Sequence, residues 1–451
     1  MEREKLGSRL GFILLSAGCA IGLGNVWKFP YMTGQFGGGI FVLIYLFFLV
    51  VLGIPAMTME FAMGRASRRS PAGFYRSLSR TGNIWNFHSY VAVFGNYLLM
   101  MFYTGVAGWM LNYFFKMAGG KFNGLAPEQV AGVFGGMLSN PWEVIFFMVV
   151  TVCSCFAVCA VGLQKGSERV NKYMMLTLLL VMMVLVIKSF SIPGGMEGLK
   201  FFLLPDVDRF MAIGPTTVIL GALNQAFFTL SIGIGNMAIF GSYIGKERRL
   251  LGEAANVAAL DTFVAISAGL IIFPACFAFG IKPDAGPSLI FITLPNVFNH
   301  MAMGQLWGSL FFVFMTFAAF STVVGVFENI VSCTMEYTKW SRRKACAVNA
   351  VVVSLLSAPC MLGFNVWSSF QPFGKGTCVL DLEDFVFSNL LLPIGALIFV
   401  LFCTRKVGWG WENFVEEANT GRGVMIAEWM RPVMSWFIPV VILIIWVAGL
   451  V

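Results

Sequence analysis

Long apolar segments follow one another along almost the whole chain, and short polar stretches separate them. A helix needs about 20 residues to cross the roughly 30 Å hydrocarbon core of a bilayer. Segments of about that length lie at about 10–30, 39–63, 84–116, 141–163, 173–190, 212–243, 251–281, 304–336, 345–364, 381–403 and 432–451. The pattern predicts an all-α polytopic membrane protein with eleven transmembrane helices, and we expect residues 1–451 to form a single transmembrane domain.

Two of these segments contain paired glycines. A Gly-x-Gly-Asn sequence occurs at 22–25 and again at 233–236, in the first and sixth segments. A glycine costs roughly 1 kcal/mol against alanine inside a helix, so these positions predict two broken helices with unwound backbone at membrane depth. Because five spans separate the breaks, we expect inverted repeats of spans 1–5 (about 10–190) and 6–10 (about 212–403), followed by an extra helix at about 432–451.

Composition agrees with a membrane setting, since 58% of the residues are hydrophobic, 12% are charged and the mean hydropathy is +0.81. Most of the 30 basic residues fall in alternate loops. Cytoplasmic loops retain Lys and Arg, so we expect a cell (inner) membrane protein with its N-terminus in the cytoplasm and its C-terminus outside. The net charge of +8 then reflects topology, and we expect no nucleic-acid partner.

Enzyme chemistry finds little support in the sequence. The two histidines, His88 and His300, lie far apart, and no phosphate-binding loop or metal-ligand pair is visible. The spacing of Cys153, Cys155 and Cys159 matches no zinc or haem signature, so these thiols are expected to serve packing. We therefore expect a protein that is not an enzyme and that uses no organic cofactor.

Several motifs carry a family resemblance that covers essentially the full length. They are the run AGCAIGLGNVWKFPY from Ala17 to Tyr31, three glycines at 37–39, the stretch from Gly53 to Arg65, and QAFFTLSIG from Gln225 to Gly233. With these motifs the chain resembles the neurotransmitter:sodium symporter family, and its eleven spans resemble the short bacterial amino-acid transporters of that family. The resemblance implies sodium-coupled import by alternating access, with one or two Na⁺ ions, by a monomer or weak dimer in the lipid bilayer.

The resemblance also implies two sodium sites. Unwound helices offer the backbone carbonyls that a dehydrated ion needs. Site one would use Ala20, Asn25, Thr229 and Asp261. Site two would use Gly18, Ile21, Ala318, Ser321 and Thr322. Without the resemblance, Ser321 and Thr322 would fit better as ordinary hydroxyls that pack helices together.

Asp261 departs from the family pattern, because relatives carry asparagine at the matching place. Animal relatives balance this region with chloride and bacterial relatives place an acid nearby. Here Ala265 stands at the place of that acid, and Asp261 would supply the charge instead. We therefore expect transport that is independent of chloride. A buried carboxylate without its cation is costly, so Asp261 is expected to take up a proton on the return step, unless neighbouring hydroxyls satisfy it.

The substrate class follows from Gly22, where amine-transporting relatives place an aspartate. A glycine implies that the substrate's own carboxylate meets the first sodium ion, and apolar walls imply a neutral hydrophobic amino acid. The implied substrate site consists of Ala20, Gly22, Leu23, Gly24, Leu99, Tyr103, Phe228, Thr229, Ser231, Gly233, Ile234 and Val326. Tyr103, taken alone, would also fit an ordinary packing tyrosine.

The resemblance places gates on both sides of this site. Outside, Lys28 and Asp384 would pair, and inside, Arg3 would pair with Glu336 near Tyr243. Glu60 lies inside an apolar span, and we expect it to accept hydrogen bonds from the unwound part of span six.

Two other functions remain open at this stage. The protein could be a sodium symporter of another small carboxylated solute, or a membrane sensor that binds amino acids without transporting them. Competition by amino acids distinguishes the first from the expected function, and the absence of flux identifies the second.

Overall fold

The computed structural model describes residues 4, 6–79, 83–280 and 289–449. Within these ranges every regular element is a helix, and a single isolated bridge joins Arg248 to Arg422. Helices long and apolar enough to cross a membrane are Gly39–Ser67, Asn86–Ala118, Pro141–Val161, Leu163–Ser189, Leu250–Ala278, Gly304–Thr338, Arg342–Leu362, Val379–Thr404 and Met430–Ala448.

Two bent helix pairs raise the count of nine spans in the described part of the chain to as many as eleven. Arg9–Ala20 and Gly24–Gln35 meet at 54°, and Val207–Ile213 and Pro215–Thr229 meet at 95°. The all-α class and the predicted number of spans are therefore confirmed. The division into two inverted repeats stays a prediction.

The first break lies at the first Gly-x-Gly-Asn sequence. Ser8 caps the helix Arg9–Ala20 by accepting a hydrogen bond from the backbone N–H of Gly11, and the backbone turns extended at Ile21. The chain resumes at Gly24 in a turn with π-helical hydrogen bonding and continues as an α-helix to Gln35. The first span is thus broken as predicted, and it reaches a turn beyond the expected end near residue 30.

The second break lies between the helices Pro215–Thr229 and Asn236–Gly241. Ser231, Gly233 and Gly235 have positive φ values of 50°, 112° and 75° there. A side chain at Gly233 would also overlap the backbone carbonyl of Leu392. Glycine is therefore required at this position both for its backbone conformation and for the close approach of the neighbouring helix.

The described part of the chain contains shorter helices that the apolar pattern did not predict. These are Pro127–Ser139, Met196–Leu203, Val207–Ile213, Leu289–Asn299 and Trp411–Ala418. Four of them lie between the spans. The fifth, Val207–Ile213, belongs to the second bent pair, and Asp206 caps it by accepting from the N–H of Arg209 at 2.9 Å. The loops are consequently more ordered than the hydropathy pattern indicates.

Candidate functional site

A small cavity of about 20 Å³ lies where the two broken helices face the long helix Asn86–Ala118. None of its lining side chains is charged. The lining residues are Ala20, Gly22, Gly24, Leu99, Tyr103, Phe228, Ser231, Thr322 and Phe387.

Seven of the twelve residues expected at the substrate site line this cavity. The other five, which do not line it, are Leu23, Thr229, Gly233, Ile234 and Val326. All five are buried, and Ile234 packs instead against Gly95, where an added Cβ would come within 2.8 Å of Ile234 Cγ2. Phe387 also lines the cavity but was not predicted from the sequence. It lies in a π-helical turn at Val386–Leu391, and the centre of its ring is 6.0 Å from the centre of the Phe102 ring.

Gly22 allows a tyrosine hydroxyl to approach the unwound backbone. The N–H of Leu23 donates to Tyr103 Oη at 2.9 Å, beside the cavity. A Cβ on Gly22 would overlap both Tyr103 Oη and Thr322 Oγ1.

Gly22→Ala is therefore expected to weaken substrate binding by about tenfold or more, since the methyl group displaces the tyrosine and fills the cavity. Equilibrium binding of radiolabelled substrate to purified protein measures the effect. Gly135→Ala is the matched control, because nothing lies within 4 Å of a Cβ at that position. Equal affinity of the two variants would contradict the assigned role of Gly22.

Two of the residues expected at sodium site one, Asn25 and Thr229, contact a third, Asp261, which is fully buried. Asn25 Nδ2 donates to Asp261 Oδ1 at 2.8 Å and to its backbone carbonyl at 3.1 Å, and Thr229 Oγ1 donates to Oδ2 at 3.0 Å. Asn25 Oδ1 accepts from the N–H of Gly22 at 3.1 Å. Ala20 lies at the end of the first half-helix, on the cavity. The arrangement concentrates oxygen atoms and one carboxylate at the break in the first helix.

Two buried polar residues, one near Asp261 and one at the first break, were not assigned a role from the sequence. Tyr45 is fully buried near Asp261 and Thr229. Gln225 Nε2 donates to the carbonyl of Gly24 at 2.9 Å and so ties the second broken helix to the first. Both lie within apolar runs, where a sequence pattern alone does not show which neighbour they meet.

The five residues expected at sodium site two also come together. Thr322 Oγ1 lies 3.1 Å from the carbonyl oxygen of Ile21, 3.3 Å from that of Gly18 and 3.4 Å from that of Ala318. Ser321 Oγ lies 2.9 Å from the Ala318 carbonyl oxygen and 3.4 Å from that of Ile21. Two hydroxyls and three carbonyls thus converge between the broken first helix and the helix Gly304–Thr338, a set of hard oxygen donors that suits a small cation.

Lys28 and Asp384, expected at the outer gate, lie 3.9 Å apart between Nζ and Oδ2. Lys28 Nζ also lies 3.7 Å from the centre of the Phe228 ring, which borders the cavity. Ser388 Oγ donates to Asp384 Oδ1 at 2.8 Å. The lysine therefore lies over the cavity wall, with a long ion pair to the neighbouring helix.

Of the two charges expected to pair at the inner gate, Glu336 lies within the described residues. Arg3 lies outside these residues. Glu336 pairs with Arg69 at 3.2 Å and accepts from Ser70 Oγ at 2.6 Å. Tyr243 Oη donates to Glu328 Oε1 at 3.0 Å.

Glu328 is the centre of a buried ionic network that the sequence analysis missed. Its carboxylate lies 3.0 Å from the guanidinium of Arg342, which also contacts Glu4 at 3.4 Å. Ser167 Oγ donates to the same carboxylate at 2.9 Å. The network joins the helices that carry Ser167, Glu328 and Arg342. We expect this buried network to hold its helices together more strongly than the more exposed pair of Arg69 and Glu336 does.

Glu60 supports the second broken helix, as the sequence predicts. Its carboxylate accepts hydrogen bonds from the backbone N–H of Gly233 at 2.6 Å and of Met237 at 3.2 Å. The unwound segment leaves these N–H groups without helical partners. The side chain of one helix thus replaces the hydrogen bonds that the break removes from another.

The sequence matches a family model described as the sodium:neurotransmitter symporter family over residues 3–122 and 134–451. A sodium-dependent transporter named YhdH from Bacillus subtilis is 36% identical over 400 residues, which cover 89% of this chain and 87% of the relative. A sodium-dependent transporter from Haemophilus influenzae is 32% identical over 462 residues, with 100% and 98% coverage.

Among solved structures, the crystal structure of MhsT in complex with L-phenylalanine is similar to this chain with a TM-score of 0.89. The two sequences are 36% identical, and the match covers 99% of this chain and 100% of that chain. The two proteins therefore share one fold over their full length.

Proposed function

Since the chain belongs to the sodium:neurotransmitter symporter family and is a sodium-dependent, multi-pass membrane transporter, we propose that it imports neutral hydrophobic L-amino acids by symport with sodium. The observation that carries the proposal is the uncharged, largely apolar cavity at the broken helices. L-phenylalanine is the ligand named for the similar protein MhsT. A charged side chain would lose its hydration in such a cavity without gaining a partner.

The polar end of the substrate would lie at the first break. Its carboxylate would accept from the N–H groups of Leu23 and Gly24 and from the hydroxyl of Tyr103, where the helix Gly24–Gln35 begins. The ammonium group would donate to the carbonyl of Ala20 and to the Ser231 hydroxyl, both on the cavity. The apolar side chain of the substrate would contact Leu99, Phe228 and Phe387, which makes these three residues the determinants of side-chain preference.

Sodium would bind at the two oxygen-rich places beside the cavity. At site one, Asp261, Asn25, Thr229 and the carbonyl of Ala20 would be joined by the substrate carboxylate, so that ion and substrate strengthen each other's binding. Site two would hold a second ion between the two helices that meet there. Because Asp261 supplies a negative charge at site one, transport would need no chloride.

Import would follow from alternating exposure of this site. Bound sodium would favour the conformation that accepts substrate from outside, and sodium release would favour the inward-facing one. Transport into the cell in this way requires the N-terminus in the cytoplasm and the C-terminus outside, as the distribution of basic residues predicts.

Uptake into proteoliposomes tests the proposal. We expect labelled leucine or phenylalanine to accumulate under an inward sodium gradient, to stop when potassium replaces sodium, and to continue when gluconate replaces chloride. Sodium-dependent binding without flux would identify a sensor instead. Uptake of another carboxylated solute that amino acids do not inhibit would identify a different substrate class, and loss of uptake in gluconate would contradict chloride independence.

A further inference from the structure

A polar seam runs along the first half-helix Arg9–Ala20, where it packs against the helix Leu163–Ser189. Two glycines of the first helix, Gly11 and Gly18, face Glu168 and Asn171 of the other helix. A Cβ on Gly11 would overlap the Glu168 carboxylate, and a Cβ on Gly18 would lie 2.5 Å from Asn171 Nδ2 and 2.9 Å from Oδ1. The two glycines are about two helical turns apart, and Glu168 and Asn171 are about one turn apart. Because the glycines have no side chains, both polar groups lie directly against the first helix.

Asn171 lies at the end of the seam that is next to sodium site two. It is fully buried, and its Nδ2 donates to the carbonyl of Leu14 at 3.0 Å. That hydrogen bond turns the amide so that Oδ1 is the free atom, and Oδ1 has no hydrogen-bond partner among the described residues. A buried amide oxygen without a partner costs roughly 1–3 kcal/mol, which is unfavourable unless a ligand visits it.

Glu168 lies at the other end of the seam, beside the start of the first helix. Its carboxylate accepts from the backbone N–H of Gly7 at 2.8 Å and from Ser8 Oγ at 3.2 Å, and both of these residues are exposed. The seam therefore extends from the carbonyl of Gly18, through Asn171 Oδ1, to the buried carboxylate of Glu168, which contacts the exposed residues Gly7 and Ser8.

We propose that Asn171 Oδ1 is a transient ligand for Na⁺ as the ion leaves site two towards the cytoplasm. The inference rests on the proposed location of site two. Oxygen ligands of amides and carboxylates are those that a hard cation prefers, and an ion that leaves Gly18 meets Asn171 within one helical turn. The glycines bring the carboxylate of Glu168 and the amide of Asn171 directly against the first helix, because no side chain at position 11 or 18 stands between them.

A simpler role for Asn171 is to clamp the two helices together through Leu14. The two roles use different atoms of the side chain, because the clamp needs Nδ2 and the sodium ligand needs Oδ1. Asn171→Asp removes the donor and keeps an oxygen, whereas Asn171→Leu and Asn171→Ala remove both.

The experiment compares net uptake under an inward sodium gradient with substrate exchange at saturating sodium on both sides. Net uptake requires sodium release inside in every cycle, and exchange does not. We expect Asn171→Leu and Asn171→Ala to reduce net uptake about tenfold and exchange less than about twofold, in line with the loss of one ligand to a charged group. Asn171→Asp should keep net uptake within about threefold of the unmodified protein.

Asn349→Leu is the control for general damage, because Asn349 is equally buried but makes its hydrogen bonds elsewhere, to Ala345 and Thr334. It should reduce net uptake and exchange together or leave both unchanged. The inference is overturned if the aspartate and leucine variants of Asn171 are equally slow, if net uptake and exchange fall in parallel, or if net uptake is unaffected. Failure of the proposed function would appear differently, as an unmodified protein without sodium-driven uptake.

Discussion

Asp261→Ala is expected to reduce sodium-driven uptake by at least about 100-fold. The substitution removes the only side-chain carboxylate of the proposed site one, leaves Thr229 Oγ1 without its acceptor and leaves Asn25 Nδ2 with only the backbone carbonyl of residue 261. Hydrogen bonds to charged groups contribute roughly 1.5–3 kcal/mol each, and 1.4 kcal/mol corresponds to a factor of ten. The initial rate of uptake at subsaturating sodium measures the loss.

Asp261→Asn removes the negative charge at this position and keeps the size of the side chain. The amide retains one oxygen for the ion but carries no negative charge, so we expect a lower apparent affinity for sodium and a stimulation of uptake by chloride. Sodium titrations in chloride and in gluconate test both effects. Asp206→Asn is the control, because Asp206 caps a short helix away from the site and asparagine caps as well as aspartate does. An Asp261→Asn variant whose sodium affinity is unchanged in both anions would refute the assigned role of the charge.

The positions of the helix breaks could be predicted because glycine pairs within long apolar segments have a direct physical consequence. The span limits were less predictable. Pro30 lies in the first turn of the helix that continues to Gln35, a position where proline fits without loss of a hydrogen bond. Short loop helices such as Trp411–Ala418 have too few residues for a periodic pattern to identify them with certainty.

The residues of the substrate site and the sodium sites could be predicted from the sequence only where they lie on helices that carry the family's motifs. Ser321 and Thr322 were matched to carbonyls about 300 positions away through the family resemblance, and the structure brings them together. Phe387 was missed because a local widening of its helix turns it towards the cavity, and no residue type signals such a turn. Ile234 and Val326 were expected as cavity walls; both are buried, but neither lines the cavity.

The ionic contacts were the least predictable part of the molecule. Glu328 and Arg342 lie on adjacent spans, where charged side chains have several candidate partners. The choice depends on helix rotation, which hydropathy does not specify. The pairing of Glu336 with Arg69, 267 positions away, is of the same kind.

Glu60→Ala is expected to destabilise the protein more than any other single substitution considered for this site. The carboxylate accepts from the N–H groups of Gly233 and Met237 in the fully buried second break. Alanine would leave two buried N–H groups unpaired, at roughly 1–3 kcal/mol each, and would add a cavity. The midpoint of thermal unfolding in detergent should fall by about 5 °C or more, with loss of substrate binding at lower temperature.

The matched comparison is between Glu60→Gln and Glu383→Gln, since both carboxylates are buried within spans. Glutamine at position 60 keeps one acceptor oxygen and presents an NH₂ group to the second backbone N–H, so about half of the alanine effect should remain. Glu383 accepts no backbone hydrogen bond from either break, and Glu383→Gln should lower the midpoint by less than Glu60→Gln. Equal shifts for both variants would mean that burial of a carboxylate, rather than support of the unwound helix, determines the effect. A larger shift at Glu60 would show that the break is stable only because a neighbouring helix supplies the acceptor that the unwound backbone lacks.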